Sequence, residues 1–164
     1  MRRSAFIGAC LLALGLVGSA LPANAAAEPL TFAVDKTTAK HGETVTVTVT
    51  VTNTSTTPGQ FGYLYFEPTY GTDFNQLKYE FTGCSGDISD CNAVGPNSHK
   101  GTLHPKVPIP AGGTETFALA YKIADDSPCG GTLSIGHNFW LYLETASGNI
   151  EKQGVAGPLT SVSC

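Results

Sequence analysis

Cys84, Cys91, Cys129 and Cys164 are the side chains of this sequence with the most distinctive chemistry. A fifth cysteine, Cys10, lies in an apolar leader. Four thiols can hold zinc or form two disulfides. Zinc sites favour C-x-x-C pairs, and none is present here. An even number of cysteines in an exported chain suits disulfides, and four allow three pairings. Spacing favours Cys84–Cys91, which closes a short polar segment, and Cys129–Cys164, which ties the last residue to the body.

Aromatic side chains form a second constellation. Phe61, Tyr63 and Tyr65 alternate with Gly62, Leu64 and Phe66, and His137, Phe139, Leu141 and Leu143 alternate with Asn138, Trp140 and Tyr142. Successive side chains of a strand point to opposite faces. Each segment therefore has one face for a core. If the two strands are neighbours, Tyr63, Tyr65, Trp140 and Tyr142 share the other face and are candidate ligand-binding residues. Such rings give flat amphipathic area at little entropic cost, which suits a sugar ring or a protein surface. Residues 83–110 could instead fold over this face and bury it; both readings stand on sequence alone.

Charged and ionisable residues offer less. Asp87 with Asp90, and Asp125 with Asp126, are carboxylate pairs on expected loops. Neither matches a calcium-loop pattern, and solvated turns are the simpler reading. His41, His99, His104 and His137 lack metal-ligand spacing. There is no G-x-S-x-G elbow, and a small sandwich has little room for two carboxylates across a cleft. The sequence reads as a non-enzyme with no catalytic residue, no metal site and no cofactor.

The elements that must position these groups are strands. Valine and threonine alternate from Thr44 to Thr52, placing Val45, Val47, Val49 and Val51 on one face. β-Branched residues suit that pleated, half-buried setting. Further strands are expected at residues 30–34, 61–67, 77–82, 114–123, 131–145 and 150–153, with residues 158–162 as a closing or edge segment. Residues 106–110 alternate with prolines and read as edge strand or extended coil. No segment shows a helical repeat. Seven to nine strands separated by breakers predict an all-β fold, an immunoglobulin-like antiparallel β-sandwich.

Arg2 and Arg3, an apolar run from Ala5 to Val17 and the small-x-small site Ala23-Asn24-Ala25 read as an export signal. Ile7-Gly8-Ala9-Cys10 loosely resembles a lipoprotein cleavage box but sits too early in the run. The expected organisation is a removed signal peptide, 1–25, and a single domain, 26–164, with an irregular insertion at about 83–113. Without the two arginines, seven lysines face thirteen acids, so 7 − 13 gives −6. That balance argues against nucleic acid and against an anionic membrane surface.

The stretch Glu43-Thr44-Val45-Thr46-Val47-Thr48-Val49-Thr50-Val51-Thr52-Asn53-Thr54 resembles the turn, long alternating strand and Asn-Thr of bacterial immunoglobulin-like adhesion and surface-repeat domains. Ile109-Pro110-Ala111-Gly112-Gly113-Thr114, feeding the next strand, resembles their proline, Ala-Gly, Thr turn. The resemblance covers about residues 30–123. It implies a spacer, scaffold or binding domain at a cell surface or in a secreted protein. A lone domain with four cysteines and an insertion departs from a spacer array. The expected function is a secreted, extracellular or cell-wall-associated, non-catalytic binding module for an unknown protein or glycan, without membrane insertion. A structural envelope component, or a protease inhibitor presenting the Cys84–Cys91 loop, is the alternative.

Overall fold

The computed structural model describes residues 27–92 and 99–164; the expected signal peptide lies outside them. Strand β3 (Thr44–Thr52) is the valine–threonine run, and its four valines are 0 to 3% exposed. Burying each contributes roughly 1.5–3 kcal/mol. It lies between β1 (Leu30–Val34) and β8 (Thr114–Ile123), with β5 (Tyr79–Gly86) completing the first sheet in the order β1-β3-β8-β5.

The second sheet has the order β11-β10-β4-β7-β6, from Ile150–Ala156, His137–Thr145, Gly59–Pro68, Gly101–Pro105 and Ile88–Cys91. Phe66, Leu64, Leu103, Phe139, Leu141 and Leu143 from this sheet meet the valines, Phe117, Leu119 and Tyr121 of the first in one core. Rings join the layers directly: Phe32 lies 4.5 Å from Phe139, and Phe66 4.7 Å from Phe81. A third, small sheet of β2 (Thr38–Lys40), β12 (Thr160–Ser163) and β9 (Ser134–Ile135) adds Ala39, Val162 and Ile135 to the core.

The expected all-β sandwich is what forms, and among the described residues eight strands have five or more residues. Several details differ. The supposedly irregular stretch 83–113 contains the end of β5 and all of β6 and β7. Its glycines and prolines hide any alternation, yet β7 pairs with β4 and β6 pairs with β7. Residues 106–110 are extended coil, bridged to Gly59 through Ile109. The expected long strand 131–145 breaks at Gly136, whose N–H donates to Thr72 Oγ1 at 2.9 Å. That contact turns the chain from the third sheet into the second. Thr72 sits on a five-residue helix, α1 (Tyr70–Phe74), too short to show a repeat in sequence.

The two motifs behind the family resemblance touch. Buried Asn53 donates from Nδ2 to the carbonyls of Ile109 and Thr57, each at 2.9 Å. The N–H of Gly112 in turn donates to the Asn53 carbonyl at 2.8 Å. One side chain thus fixes the β3–β4 turn against the turn that starts β8.

The cysteines pair as Cys84–Cys91 and Cys129–Cys164, as spacing favours. The first bridge joins β5 of one sheet to β6 of the other. The second, across a sequence separation of 35, holds β12 to the segment before β9. A Cys129→Ser/Cys164→Ser variant should lose about 4 kcal/mol in urea unfolding, on the chain-entropy account. A loss under about 1 kcal/mol would mean that the hydrogen bonds of β12 suffice alone.

Candidate functional site

Strands β4 and β10 run antiparallel with Tyr65 opposite Trp140 and Tyr63 opposite Tyr142. Because Leu64, Phe66, Phe139, Leu141 and Leu143 alternate with them into the core, all four aromatics lie on the outer face of the second sheet. Tyr63 and Tyr142 stack with centroids 5.5 Å apart, and Tyr65 and Trp140 are also 5.5 Å apart, tilted by 50°. Phe61 extends the group, 6.4 Å from Tyr142 and 6.0 Å from His104 of β7, and is 46% exposed. The four predicted residues are half-buried.

The described parts of residues 83–113 do not cross this face. They continue the sheet beside it as β7 and β6. Residues 93–98 lie outside the description. At the other edge, β11 carries a bulge opposite Trp140, with Gly154 in the left-handed region at φ +61°. Beside that bulge a cleft of about 280 Å³ is lined by Tyr63, Trp140, Leu141, Tyr142, Glu151, Lys152 and Gln153.

Carboxylates rim the aromatics. The Tyr65 hydroxyl donates to Glu67 Oε2 at 2.8 Å, and this bond, with some burial, holds the phenol above its ordinary pKa. Tyr142 is also raised, first by burial and then by Glu144 and Glu151. Glu144 stands opposite Phe61, Glu151 opposite Tyr142, and Asp90 opposite His104. His104 Nδ1 donates to the Gly62 carbonyl at 3.1 Å, which fixes its ring. Phe61 and Glu144 follow the same alternation as the predicted residues. Glu151, Asp90 and His104 belong to strands whose register the sequence does not display.

The remaining candidates are dispersed. Asp87 and Lys106 approach at 3.8 Å, and Asp126 pairs with Lys78. His41 Nε2 meets the Ser127 carbonyl at 2.8 Å. His137 is buried, with Nε2 2.9 Å from the Tyr79 hydroxyl. Among the described residues, no three His, Cys, Asp or Glu side chains gather where a metal could bind. A larger cleft of about 570 Å³ near the ends of β5 and β8 mixes signs: Lys78 pairs with Asp126, and Glu80 lies opposite Lys122. The segment between Cys84 and Cys91 does not stand out as a loop. Gly86 pairs with Phe117, the Asp87 N–H donates to the Thr116 carbonyl, and Ile88 faces Pro105.

Fold and site together define an immunoglobulin-like β-sandwich carrying an aromatic outer sheet face. Similar solved structures include cohesins. The third ScaC cohesin of Acetivibrio cellulolyticus, solved with a ScaB dockerin, aligns over 82% of this chain and 99% of its own, with TM-score 0.58 and 13% identity. The sixth scaffoldin B cohesin of the same organism, solved with a Cel5 dockerin, covers 83% of this chain and 100% of its own, at TM-score 0.56 and 9% identity. A non-cellulosomal cohesin of the archaeon Archaeoglobus fulgidus covers 84% and 93%, at TM-score 0.55 and 12% identity. At such identities the likeness is one of fold. No protein-family model matches the chain, and no curated protein matches it in sequence. No helix among the described residues is long and apolar enough to cross a membrane.

Proposed function

We propose that this chain is a secreted, non-catalytic binding module that engages an extracellular partner through the face of Tyr63, Tyr65, Trp140 and Tyr142. The observation that carries this reading is the pairing of Tyr65 with Trp140 and of Tyr63 with Tyr142 on an outer sheet face. Four amphipathic rings side by side on a rigid sheet lose little freedom when a partner docks. Large apolar patches are uncommon on a surface without a partner. The similar cohesin folds solved with dockerins support a role for such a sandwich in holding another protein. The leader with Arg2, Arg3 and Ala23-Asn24-Ala25, together with two disulfides, supports an extracellular or cell-wall location.

The test is capture of secreted proteins and cell-wall polysaccharide by the purified protein and by Trp140→Ala. Truncating a central aromatic anchor should weaken capture by about 30-fold, in the manner of an interface hot spot. Because Trp140 is only half-buried, its unfolding midpoint in urea should change little by comparison. Undiminished capture by both Trp140→Ala and Tyr142→Ala would remove the aromatic face from the function.

A further inference from the structure

The aromatic face has a sign as well as a shape. Glu67, Glu144, Glu151 and Asp90 rim it on four sides of the ring cluster. Among the described residues lining the 280 Å³ cleft, the one cation is Lys152, and its ammonium lies 3.6 Å from Glu28. The rings do not form a flat platform. Tyr65 and Trp140 are tilted by 50°, while Tyr63 and Tyr142 stack within 20° of parallel and turn one face each toward the other. A pyranose needs a broad exposed ring face. A cation needs only the negative potential of ring faces and a nearby carboxylate. Trp140, Tyr142 and Tyr63 supply the former around the cleft, and Glu151 supplies the latter.

We infer that the cleft between Trp140, Tyr142, Tyr63 and Glu151 receives the cationic head of an arginine or lysine side chain carried by a protein partner. The inference rests on the aromatic-face reading and adds its ligand class. An arginine guanidinium would stack against the indole or a phenol ring while its N–H groups donate to Glu151. Glu144 and Glu67 extend the negative field along β10 and β4, so the surrounding partner surface should be basic as well. Lys152 stands opposite core-facing Leu141 and pairs with Glu28, so its charge is turned away from the rings and serves as a control.

Trp140 is the only tryptophan of the chain, so its fluorescence reports on this face. The probe is the tripeptide acetyl-Gly-Arg-Gly-amide, compared with the same peptide carrying neutral citrulline in place of arginine. The arginine peptide should change Trp140 emission saturably, and the citrulline peptide should not. Glu144→Gln/Glu151→Gln should weaken the arginine peptide by about tenfold, and Lys152→Gln, whose side chain lies on the Leu141 side of β11, should change it by less than about twofold. All three positions are at the surface, and urea midpoints of the variants verify folding. Equal binding of the citrulline peptide, or full binding by the double glutamine variant, overturns the inference. So does a Trp140 signal unmoved by the arginine peptide at millimolar concentration. Each of these leaves the aromatic-face reading intact if Trp140→Ala still loses capture of wall polysaccharide or secreted protein. That reading falls separately, on undiminished capture by Trp140→Ala and Tyr142→Ala.

Discussion

At pH 4.5 the protein should be roughly 2.5 kcal/mol less stable than at pH 7, and His137→Phe should erase most of that difference. His137 points into the core from β10 and is 2% exposed. Phe81 and Tyr79 lie 5.3 Å from its ring, and Tyr121 5.6 Å. Burial, with a smaller contribution from the charge of His99, pushes its pKa down from 6.5 to about 3. The unfolded chain takes up a proton as pH falls through about 6.5, while the native protein refuses it until about 3. The stability from the neutral ring is therefore full above the unfolded pKa and drains away below it, by about 1.4 kcal/mol per unit. Glu43 and Asp126 are held below their ordinary values, Glu43 chiefly by the Lys40 N–H and Asp126 by Lys78. Their losses begin near pH 5 and fall mostly below this window, so at pH 4.5 they are small beside that of His137. Phenylalanine keeps the ring volume, and the Tyr79 hydroxyl keeps its donation to the His99 carbonyl at 3.3 Å. His137→Gln, which retains a polar partner for Tyr79, should flatten the same slope. Urea midpoints measured from pH 7 to 4.5 decide it; a slope equal in parent and both variants would mean that another group carries the acid loss.

His137 also shows where sequence reading stops. Its inward direction follows from alternation with Phe139, Leu141 and Leu143. Its hydrogen-bond partner, Tyr79, is 58 residues away on another sheet, and no local pattern announces it. The same limit applies to the aromatic face. Val45 to Val51 and the two aromatic strands were legible because a period of two survives in uninterrupted strands. β6 and β7 were not, because Gly101, Pro105 and their polar neighbours have little strand preference of their own. They are strands because β4 offers them a free edge. Hence the aromatic half of the site could be read from sequence, while Asp90, His104 and Glu151 required the register. The question of a covering insertion was likewise one of pairing partners, which composition does not encode.

The point where that pairing is decided is Gly86, and Gly86→Ala should destabilise the protein by roughly 3–5 kcal/mol. Gly86 ends β5 in the first sheet, one residue before the chain enters β6 of the second through Asp87. It holds φ +100°, and an added Cβ would lie 2.6 Å from the Thr116 carbonyl oxygen and 2.9 Å from Phe117 Cα. Both are backbone atoms of β8, a central strand of its sheet, so neither can swing aside as a side-chain end would. Relief would require pulling β5 off β8. That would break the Asp87 N–H donation to the Thr116 carbonyl at 3.0 Å and shift β6, which carries Asp90. Gly83 is the control on the same strand, because a Cβ there meets nothing within 4 Å and its φ is not positive. Gly83→Ala should stay within about 0.5 kcal/mol of the parent in urea unfolding. If the two alanine variants unfold at the same midpoint, the close approach of β5 to β8 does not govern where the chain changes sheets, and the extension of the aromatic sheet by β6 and β7 must be set by β4 alone.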